Sequence, residues 1–448
     1  MFRGRICRII LVYNRPLQIS SSFAEVPTRM KGEDITVGLD IGSHAVRIAV
    51  GQRLVTPEGK DQLHILGAVE VPSEGVTRAS ITSLEDVVSS ISQCLEKAER
   101  MTGYPVRSVW AAIGGTHIIA QESKGVVGVA RSDGEIREED VDRAIEAART
   151  VATPANYEIL HVIPKTFTVD GQRGVKDPVG MNGIRLEVDA VIIQGLSSQI
   201  KNLTKSIYRT GVDIEDLVFS VLAASEAVTT RRQKELGVCV VSIGASTTSM
   251  VVFEEGDVLH TAVLPVGADH ITSDIAIGLR TSIEIAEAVK VTHGCAFPDE
   301  VKKKEKINLA DFGATEEELV TERYLAEIIE ARVEEIFDKI DEELERCGRS
   351  GMLPSGIVVT GGGASLPGML EVAKKRLRLP ASLGLPLGIS TVIERVSDPA
   401  FSTVVGLVAW GYAISDAQGR GHRFDLLSLG NVKGIQSTLV KWFKSLKP

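Results

Sequence analysis

No stretch of the sequence is apolar over the ~18 residues or more that a membrane-spanning helix requires. A broad basic surface is missing as well, because the formal net charge is −9, and only 4% of the residues are aromatic. These deficits exclude a helical integral membrane protein and argue against a nucleic-acid-binding protein. Attraction to an anionic surface therefore has to come from one local segment.

The few cysteines are dispersed along the chain and never form a CxxC pair. An odd and scattered set of this kind is typical of a protein in a reducing compartment, and it offers no structural zinc site. We expect these side chains to act as small apolar groups in or near hydrophobic cores. The five residues are Cys7, Cys94, Cys239, Cys295 and Cys347.

Glycine, by contrast, is abundant, with 42 residues in a chain of 448. This length predicts about two to four domains, and the glycines favour an α/β architecture with tight turns. Residues 1–33 are predicted to be a disordered extension, since the apolar stretch Ile9–Tyr13 is too short for a signal peptide. Met30 precedes the first predicted core strand, so Met1 and Met30 are both candidate start sites.

One strand–turn–strand pattern occurs twice, about 200 residues apart. The first copy, LDIGSHAVRIAV, begins at Leu39, and the second, VSIGASTTSMVV, begins at Val241. Each copy predicts a β-hairpin, and further strand patterns follow it, such as Leu63–Val71 after the first. This duplication predicts two similar lobes, each presenting a hairpin turn to a shared cleft.

Other segments have clear helical patterns. An amphipathic helix with an acidic first turn is predicted in IREEDVDRAIEAARTV, within an inserted block at about residues 105–165. From Thr321 to Cys347, apolar residues recur every three or four positions. That segment fits either a surface helix or a coiled coil, and its length favours a single helix packed on a sheet. A strand, a triple-glycine turn and a helix follow in GIVVTGGGASLPGM.

The turn of the first hairpin carries residues suited to phosphate binding. Gly42 lets backbone N–H groups approach phosphate oxygens, and Ser43 adds a hydroxyl donor. Asp40, at the end of the preceding strand, is placed to bind Mg²⁺ through water. The motif alone also fits an ordinary β-turn, so the second copy strengthens it: Gly244 keeps the turn and Thr247 offers a donor.

Two further motifs fit the remainder of a nucleotide. Gly361, Gly362 and Gly363 separate a strand from a helix, so a nucleoside can lie against bare backbone, although such turns also occur without ligands. Glu287 and Lys290 share one face of a helix. They can bond a ribose and the edge of a base, or they can form a solvated ion pair.

The C-terminal segment combines apolar and basic residues. A polar linker is predicted at residues 421–434, and residues 435–448 predict an amphipathic helix rimmed by lysines. Such a helix lies in the plane of a membrane, where each lysine contributes ~1 kcal/mol near anionic lipid; the alternative is a helix that packs on its own domain. The predicted membrane-binding residues are Ile435, Leu439, Lys441, Trp442, Phe443, Lys444 and Leu446.

Taken in order, these motifs resemble the FtsA family of bacterial cell-division proteins. The likeness runs from about Ile35 to the C-terminus and is most specific in Ile159–Val188 and Leu264–Gly294, with Ser397–Gly411 in support. The resemblance implies an α/β chain with an actin-like ATPase fold. Two duplicated lobes, 1A and 2A, would carry the smaller subdomains 1C and 2B around a nucleotide cleft.

The resemblance also predicts the limits of these subdomains. In the family layout, subdomain 1C replaces the usual second subdomain of actin, and AIGGTHIIAQESKGVV opens it here. The predicted limits are 34–104 with 166–205 and 397–420 for 1A, 105–165 for 1C, 206–262 with 318–396 for 2A, and 263–317 for 2B.

Function follows from the resemblance as a set of expectations. ATP and Mg²⁺ would bind in the cleft, and the chain would form filaments through 1C and the 2A/2B end. Subdomain 2B would bind the C-terminal tail of the tubulin-like FtsZ, and the tail helix would hold both on anionic lipid at the cytoplasmic face of the division site, where later division proteins are recruited. The nucleotide contacts would be Asp40, Gly42, Ser43, Gly244, Thr247, Glu287, Lys290, Gly361, Gly362 and Gly363.

This chain departs from the family pattern at several positions. The second hairpin usually resembles DIGGGTTD, but Ser242 stands here in place of the first acid and Ser249 in place of the last. Losing a carboxylate near the metal predicts nucleotide binding with weak or absent hydrolysis. His44 replaces a small or hydroxyl residue, as a bystander or as a phosphate contact. Ala79 stands where glycine is common, which predicts local turn strain.

Two other classes of function fit the same fold. A turnover enzyme, such as a sugar kinase or a chaperone ATPase, needs a catalytic acid, and the second hairpin has lost its acids. A pilus-assembly adaptor of the PilM type is the nearer alternative. PilM-like proteins lack a detached amphipathic C-terminal anchor, so residues 435–448 favour the division adaptor.

Overall fold

A computed structural model describes residues 35–55, 61–150, 154–301 and 305–425. The predicted N-terminal extension at residues 1–33 and the predicted membrane helix at residues 435–448 lie outside the described residues.

In the described part of the chain strands and helices alternate, and the strands are given in two groups, those before residue 220 and those after it. The first group is β1 (Ile35–Ile41), β2 (Ala45–Val55), β3 (Asp61–Pro72), β4 (Val76–Thr77), β5 (Ser80–Ile81), β6 (Ser108–Ile113), β7 (Ile118–Gly128), β8 (Tyr157–Val169), β9 (Gln172–Val175), β10 (Arg185–Leu196) and β11 (Asp213–Phe219). The second group is β12 (Val238–Ile243), β13 (Thr248–Glu254), β14 (Asp257–Leu264), β15 (Lys306–Asn308), β16 (Leu319–Thr321), β17 (Ile357–Thr360), β18 (Ala381–Leu383) and β19 (Ser390–Thr391).

The helices cover the faces of the sheets. They are α1 (Leu84–Thr102), α2 (Glu138–Thr150), α3 (Ser197–Tyr208), α4 (Ser220–Val228), α5 (Arg231–Leu236), α6 (Ala268–Gly278), α7 (Ile283–His293), α8 (Glu322–Arg346), α9 (Met369–Leu377) and α10 (Ser402–Asp425).

Two central sheets share one topology. The first lobe is built on the order β11-β6-β1-β2-β3-β19, and the second lobe on β18-β17-β12-β13-β14. In each lobe an antiparallel hairpin, β1–β2 or β12–β13, pairs on one side with an antiparallel third strand and on the other with a parallel strand. The repeated sequence pattern therefore marks a duplicated structural unit, as predicted.

Strand β12 separates two hydrophobic cores. Its residues are apolar on both faces, as is usual for a strand covered on both sides. Because side chains alternate along a strand, Val238 and Val240 join the core that continues into the first lobe, whereas Cys239, Val241 and Ile243 join the core of the second. The buried helix α4 and helix α10 pack closely between the lobes, since a Cβ on Gly406 would lie 1.8 Å from the carbonyl oxygen of Ala223.

The insertion differs from the predicted block at 105–165. Its sheet has the order β7-β10-β8-β9 and is covered by α2, so it spans residues 118–196. Strand β6 pairs with β1 and belongs to the first lobe, and so does β11. The difference arises because β10 pairs with both β7 and β8 over long sequence separations, which local patterns do not reveal.

Helix α8 matches its prediction closely. It is a single helix, and its apolar residues pack into the core of the second lobe, next to α6 and α9. The fully buried residues of the predicted stripe are Leu325, Ile329, Val333, Ile336, Ile340 and Leu344.

The end of α10 corrects the predicted linker at 421–434, because the helix continues to Asp425. Gly419 and Gly421 each disfavour a helix by ~1 kcal/mol relative to alanine, but they do not end one that is already formed and contains no proline. Among the described helices, none is both long enough and apolar enough to cross a membrane. Cys94 and Cys239 are buried free thiols, and Cys295 and Cys347 are half-buried.

Candidate functional site

The two hairpin turns have matching backbone geometry. The N–H of Gly42 donates to the carbonyl oxygen of Ala45 over 3.0 Å, and the N–H of Gly244 donates to that of Thr247 over 2.9 Å. In either turn a Cβ on the glycine would lie 3.0 Å from that carbonyl oxygen. A side chain at either position would therefore be crowded against that carbonyl oxygen. Since this bond uses the glycine N–H, phosphate donors must come from the turn residues that follow.

Ser43 is held by a neighbouring loop. Its Oγ accepts a hydrogen bond of 2.9 Å from the N–H of Ala79, so its hydroxyl hydrogen can still be donated to a ligand. Ala79 has φ +58° and Arg78 has φ +50°, in the left-handed region that favours glycine. This conformation agrees with the turn strain expected at Ala79, which costs about 1 kcal/mol in a non-glycine residue.

Asp40 lies at the end of β1 and faces Arg47 in the hairpin register. Burial raises the pKa of its carboxyl group, and the nearby charge of Arg47 opposes that rise. Arg47 itself pairs with Glu70, with 2.6 Å between Nε and Oε2. Asp40 is therefore a poorly hydrated carboxylate that a bound cation would stabilise.

The chemistry of this site fits Mg²⁺ carried by a phosphate. Within the described ranges, no group of three or more His, Cys, Asp or Glu side chains could hold a metal ion. Mg²⁺ is commonly bound by one or two carboxylates together with substrate phosphates and water. Asp40 supplies one such carboxylate, whereas the corresponding position of the second hairpin is Ser242.

The second hairpin is supported by the start of α6. The N–H groups of Ala268 and Asp269 donate to the carbonyl oxygens of Gly244 and Ala245 over 2.9 and 2.8 Å. A Cβ on Gly267 would lie 2.5 Å from the carbonyl oxygen of Ala245. Local sequence patterns do not reveal these contacts, although the stretch from Leu264 contributes to the family resemblance.

Thr247 is half-buried in the same turn. Its neighbour Ser246 donates its hydroxyl to Oδ2 of Asp269 over 3.2 Å. An exposed carboxylate thus lies beside the tip of the second hairpin.

Glu287 and Lys290 form a bonded pair on α7, with 2.6 Å between Oε2 and Nζ. Thr272, which the sequence did not single out, joins them: its hydroxyl donates to Glu287 over 2.5 Å and accepts from Lys290 over 2.7 Å. Burial acts to raise the pKa of Glu287, but the bonds from Lys290 and Thr272 and nearby positive charge hold it below its ordinary value. The pair is therefore ordered rather than freely solvated.

The three glycines after β17 have different roles. Gly361 has φ +85°, and a Cβ there would lie 2.5 Å from the carbonyl oxygen of Ile243. A Cβ on Gly363 would lie 2.5 Å from the Ile243 side chain. Gly362 is exposed, and the nearest atom to its Cβ would be 3.9 Å away, on Ala400. Gly361 and Gly363 thus fit the loop to the end of β12, and Gly362 presents open backbone.

Contacts connect all of these predicted nucleotide residues into one region. The triple-glycine loop packs on Ile243, next to the second turn. Lys290 donates to the carbonyl oxygen of Ala268, and the N–H of Ala268 donates to the carbonyl oxygen of Gly244. The N–H of Gly361 donates to the carbonyl oxygen of Pro399 over 3.2 Å, and Arg47 of the first hairpin lies over the ring of nearby Phe401. The structure therefore brings the two hairpins, the α7 pair and the glycine loop around one cleft.

Comparison with known proteins decides the family. The family model described as cell division protein FtsA matches residues 239–406, and the model described as the SHS2 domain inserted in FtsA matches residues 115–194. The second match agrees with the insertion at 118–196 that the sheet topology defines. The chain belongs to the FtsA family.

Curated relatives agree over most of the chain. It is similar to the cell division protein FtsA of Bacillus subtilis, at 38% identity over 87% of this chain and 86% of the relative. It is also similar to FtsA of Pseudomonas aeruginosa, at 36% identity over 84% of this chain and 88% of the relative. The predicted membership in a family of cell-division proteins is confirmed.

Solved structures confirm the actin-like fold. A PilM–PilN type IV pilus biogenesis complex aligns with a TM-score of 0.60 and 16% identity, covering 84% of this chain and 98% of that one. MreB5 of Spiroplasma citri bound to ADP aligns with a TM-score of 0.52 and 13% identity, covering 87% and 99%. Identities this low show the fold alone, so the PilM-type alternative gains no functional support from this likeness.

Proposed function

We propose that the chain binds ATP with Mg²⁺ in the cleft between its lobes, assembles into filaments, and tethers FtsZ to the cytoplasmic face of the cell membrane at the division site. The observation that supports the nucleotide part is the pair of matching hairpin turns, closed by hydrogen bonds from Gly42 and Gly244. Membership in a family of cell-division proteins supports the cellular role.

Each part of the cleft has a proposed contact. Ser43 and Thr247 would donate to phosphate oxygens, Glu287 and Lys290 would face the ribose, and exposed Gly362 would lie against the nucleoside. MreB5 of Spiroplasma citri, which shares the fold, is described as bound to ADP. Mg²⁺ would be held by Asp40 and phosphate oxygens, and when bound it would neutralise phosphate charge.

Weak hydrolysis follows from the asymmetry of the two strand ends. Asp40 ends β1, whereas Ser242 lies at the equivalent place in β12, opposite Ser249 in the hairpin and Thr360 on the parallel side. With hydroxyl groups instead of carboxylates at this strand end, the second lobe has no acid there to orient or activate a water molecule. We propose a filament stabilised by the bound nucleotide, with little or no turnover.

The proposed membrane anchoring and partner binding are supported by the family membership and by the sequence of the C-terminal segment. Subdomain 2B, around α6 and α7, would bind the FtsZ tail, and recruitment of later division proteins would follow. The tail helix at 435–448 would anchor the complex on anionic lipid. Its lysines and apolar residues form the pattern of an in-plane membrane helix.

Liposome co-sedimentation with a fluorescent FtsZ tail peptide tests these roles together. Full-length chain with ATP and Mg²⁺ should sediment with anionic vesicles and bring the peptide down, whereas a chain truncated after residue 434 should leave both in the supernatant. Neutral vesicles are the lipid control, and a peptide of scrambled sequence is the partner control. Equal sedimentation of the truncated chain would contradict the anchor assignment.

A further inference from the structure

The insertion is covalently joined to the first lobe, but it also contacts the second. Its two ends continue into the first lobe, at the end of β6 and at the start of α3. Its strands β7, β8 and β10 nevertheless lie against β14, at one edge of the second central sheet. The insertion therefore forms a further connection between the lobes, in addition to the packed helices α4 and α10.

One part of this contact is apolar. Val263 on β14 and Ile163 on β8 are half-buried and pack against the same hydrophobic core. Ala120 on β7 joins them, and the buried Val191 and Ile193 of β10 belong to that core. The insertion thus covers a sheet edge that would otherwise present unpaired backbone groups to other chains.

The other part is ionic and joins one lysine to two acids. Lys176, which follows β9 in the insertion, donates a hydrogen bond to Oδ2 of Asp257, and its Nζ lies 3.3 Å from Oε2 of Glu255. Both carboxylates belong to the acidic turn (residues 255–257), which connects β13 to β14 in the second lobe. A single side chain of the insertion therefore bridges to the other lobe.

The acidic turn is held in place independently of Lys176. The N–H groups of Glu255 and Gly256 each donate over 3.1 Å, to the carbonyl oxygens of Glu235 and Lys234 on α5. Glu255 has φ +53°, a left-handed conformation that is unfavourable for a residue with a side chain. Because the turn is fixed to the second lobe, a movement of the insertion relative to that lobe has to break the bridge.

The bridge is of moderate strength. Lys176 and Glu255 are exposed, whereas Asp257 is half-buried. Burial raises the pKa of the Asp257 carboxyl group, and the hydrogen bond from Lys176 opposes that rise. Ion pairs this exposed change an equilibrium by about fivefold at most. The bridge can therefore restrain the two lobes without locking them together.

The acidic turn and the cleft lie at opposite ends of β13. This strand leaves the second hairpin turn at Thr248 and reaches the acidic turn after Glu254, roughly 20 Å away. Between these ends, Val251 and Phe253 join the core that is shared with the first lobe. A change in the angle between the lobes about this core displaces both the cleft and the bridge.

We propose that the contact of Lys176 with the acidic turn is a clasp that fixes the angle between the lobes, so that its release loosens the cleft and speeds the exchange of a bound ligand. The effect on ligand exchange rests on the nucleotide binding proposed above, whereas the clasp itself does not.

Hydrogen–deuterium exchange of full-length chain without nucleotide, followed by mass spectrometry, tests the clasp. Lys176→Glu places a third acid at the turn, so residues 255–264 should exchange about fivefold faster than in wild type. Adding Asp257→Lys to that variant restores opposite charges and should return the exchange toward wild type. Lys165→Glu is the matched control, because Lys165 pairs with Glu122 inside the insertion over 2.8 Å, and it should leave residues 255–264 unchanged.

Release of a fluorescent ATP analogue bound with Mg²⁺, chased by excess ATP, tests the effect on the cleft. Lys176→Glu should release the analogue about fivefold faster, and the charge-swapped double variant should release it slowly again. Unchanged hydrogen exchange in Lys176→Glu would overturn the clasp, and faster exchange without faster release would overturn its control of the cleft. Absence of ATP binding by wild type would contradict the proposed nucleotide function, while hydrogen exchange at residues 255–264 would still decide whether the clasp exists.

Discussion

The two lobes present nearly the same turn to the cleft but surround it with different charges. Gly42 and Gly244 close their turns with hydrogen bonds of 3.0 and 2.9 Å. Asp40 precedes the first turn, whereas Ser242 precedes the second. The backbone geometry is thus the same in the two lobes, although the side chains that precede the turns differ. Because the closing hydrogen bond is made by backbone groups, the side chains around it can differ between the lobes while the turn stays the same.

The largest expected effect comes from restoring a carboxylate at residue 242, where the second lobe has a serine. Ser242→Asp should raise ATP hydrolysis by about a hundredfold, since a positioned carboxylate contributes at least that much to water activation. Steady-state phosphate release measures it, and Ser242→Asn is the uncharged control of similar shape. Equal rates for the two variants would show that the asymmetry at residue 242 does not limit turnover.

The insertion carried by the first lobe contains a buried histidine, His161. Nε2 of His161, on β8, accepts a hydrogen bond from the N–H of Phe219, and burial lowers the pKa of His161 to about 4. The folded-state pKa is below the unfolded value near 6.5, so this contribution to stability is complete above pH ~6.5 and is lost as pH falls toward 4. The loss is about 3 kcal/mol.

Thermal unfolding between pH 7 and pH 4 measures this effect. His161→Gln keeps an acceptor for Phe219 and does not titrate, so it should lose less stability over the same range. A variant that lost as much stability as wild type would show that other groups cause the acid sensitivity.

The support behind the second turn can be tested by substitution at Gly267. A Cβ there would meet two backbone carbonyl oxygens at 2.5 and 2.6 Å. Gly267→Ala should lower the free energy of unfolding by about 2 kcal/mol, because the backbone must move to accommodate it. Denaturant unfolding measures the change, and Gly128→Ala, where the nearest atom to a Cβ would be the carbonyl oxygen of Ile184 at 4.0 Å, is the control for the general effect of the substitution. Equal losses would mean that the packing against the second turn adds nothing.

The smallest expected effect concerns the loop behind the first turn. Ala79→Gly should raise stability by up to about 1 kcal/mol, because it relieves the left-handed backbone at φ +58°. Gly103→Ala, at φ +75° with open space around it, should change stability by a similar amount in the opposite direction. If melting temperatures moved the same way in both variants, backbone strain would not explain the preference for glycine.

Local patterns predicted the parts of this fold that depend on neighbouring residues. The hairpins and the apolar stripe of α8 follow from alternation and from helical spacing, and both are observed. The insertion limits did not follow, because β10 pairs with strands tens of residues away. The role of Thr272 could not be predicted either, because its hydrogen bonds to Glu287 and Lys290 on α7 form only when the chain is folded.

The most direct test of the account is ATP binding by full-length chain with and without Mg²⁺. We predict saturable binding that Mg²⁺ strengthens by at least about tenfold in wild type, and a loss of that strengthening in Asp40→Asn, which keeps the shape of the side chain but removes its charge. An affinity for ATP that is the same with and without Mg²⁺ would contradict a cleft in which Asp40 holds the metal of a bound nucleotide. So would an Asp40→Asn variant whose affinity responds to Mg²⁺ as that of wild type does.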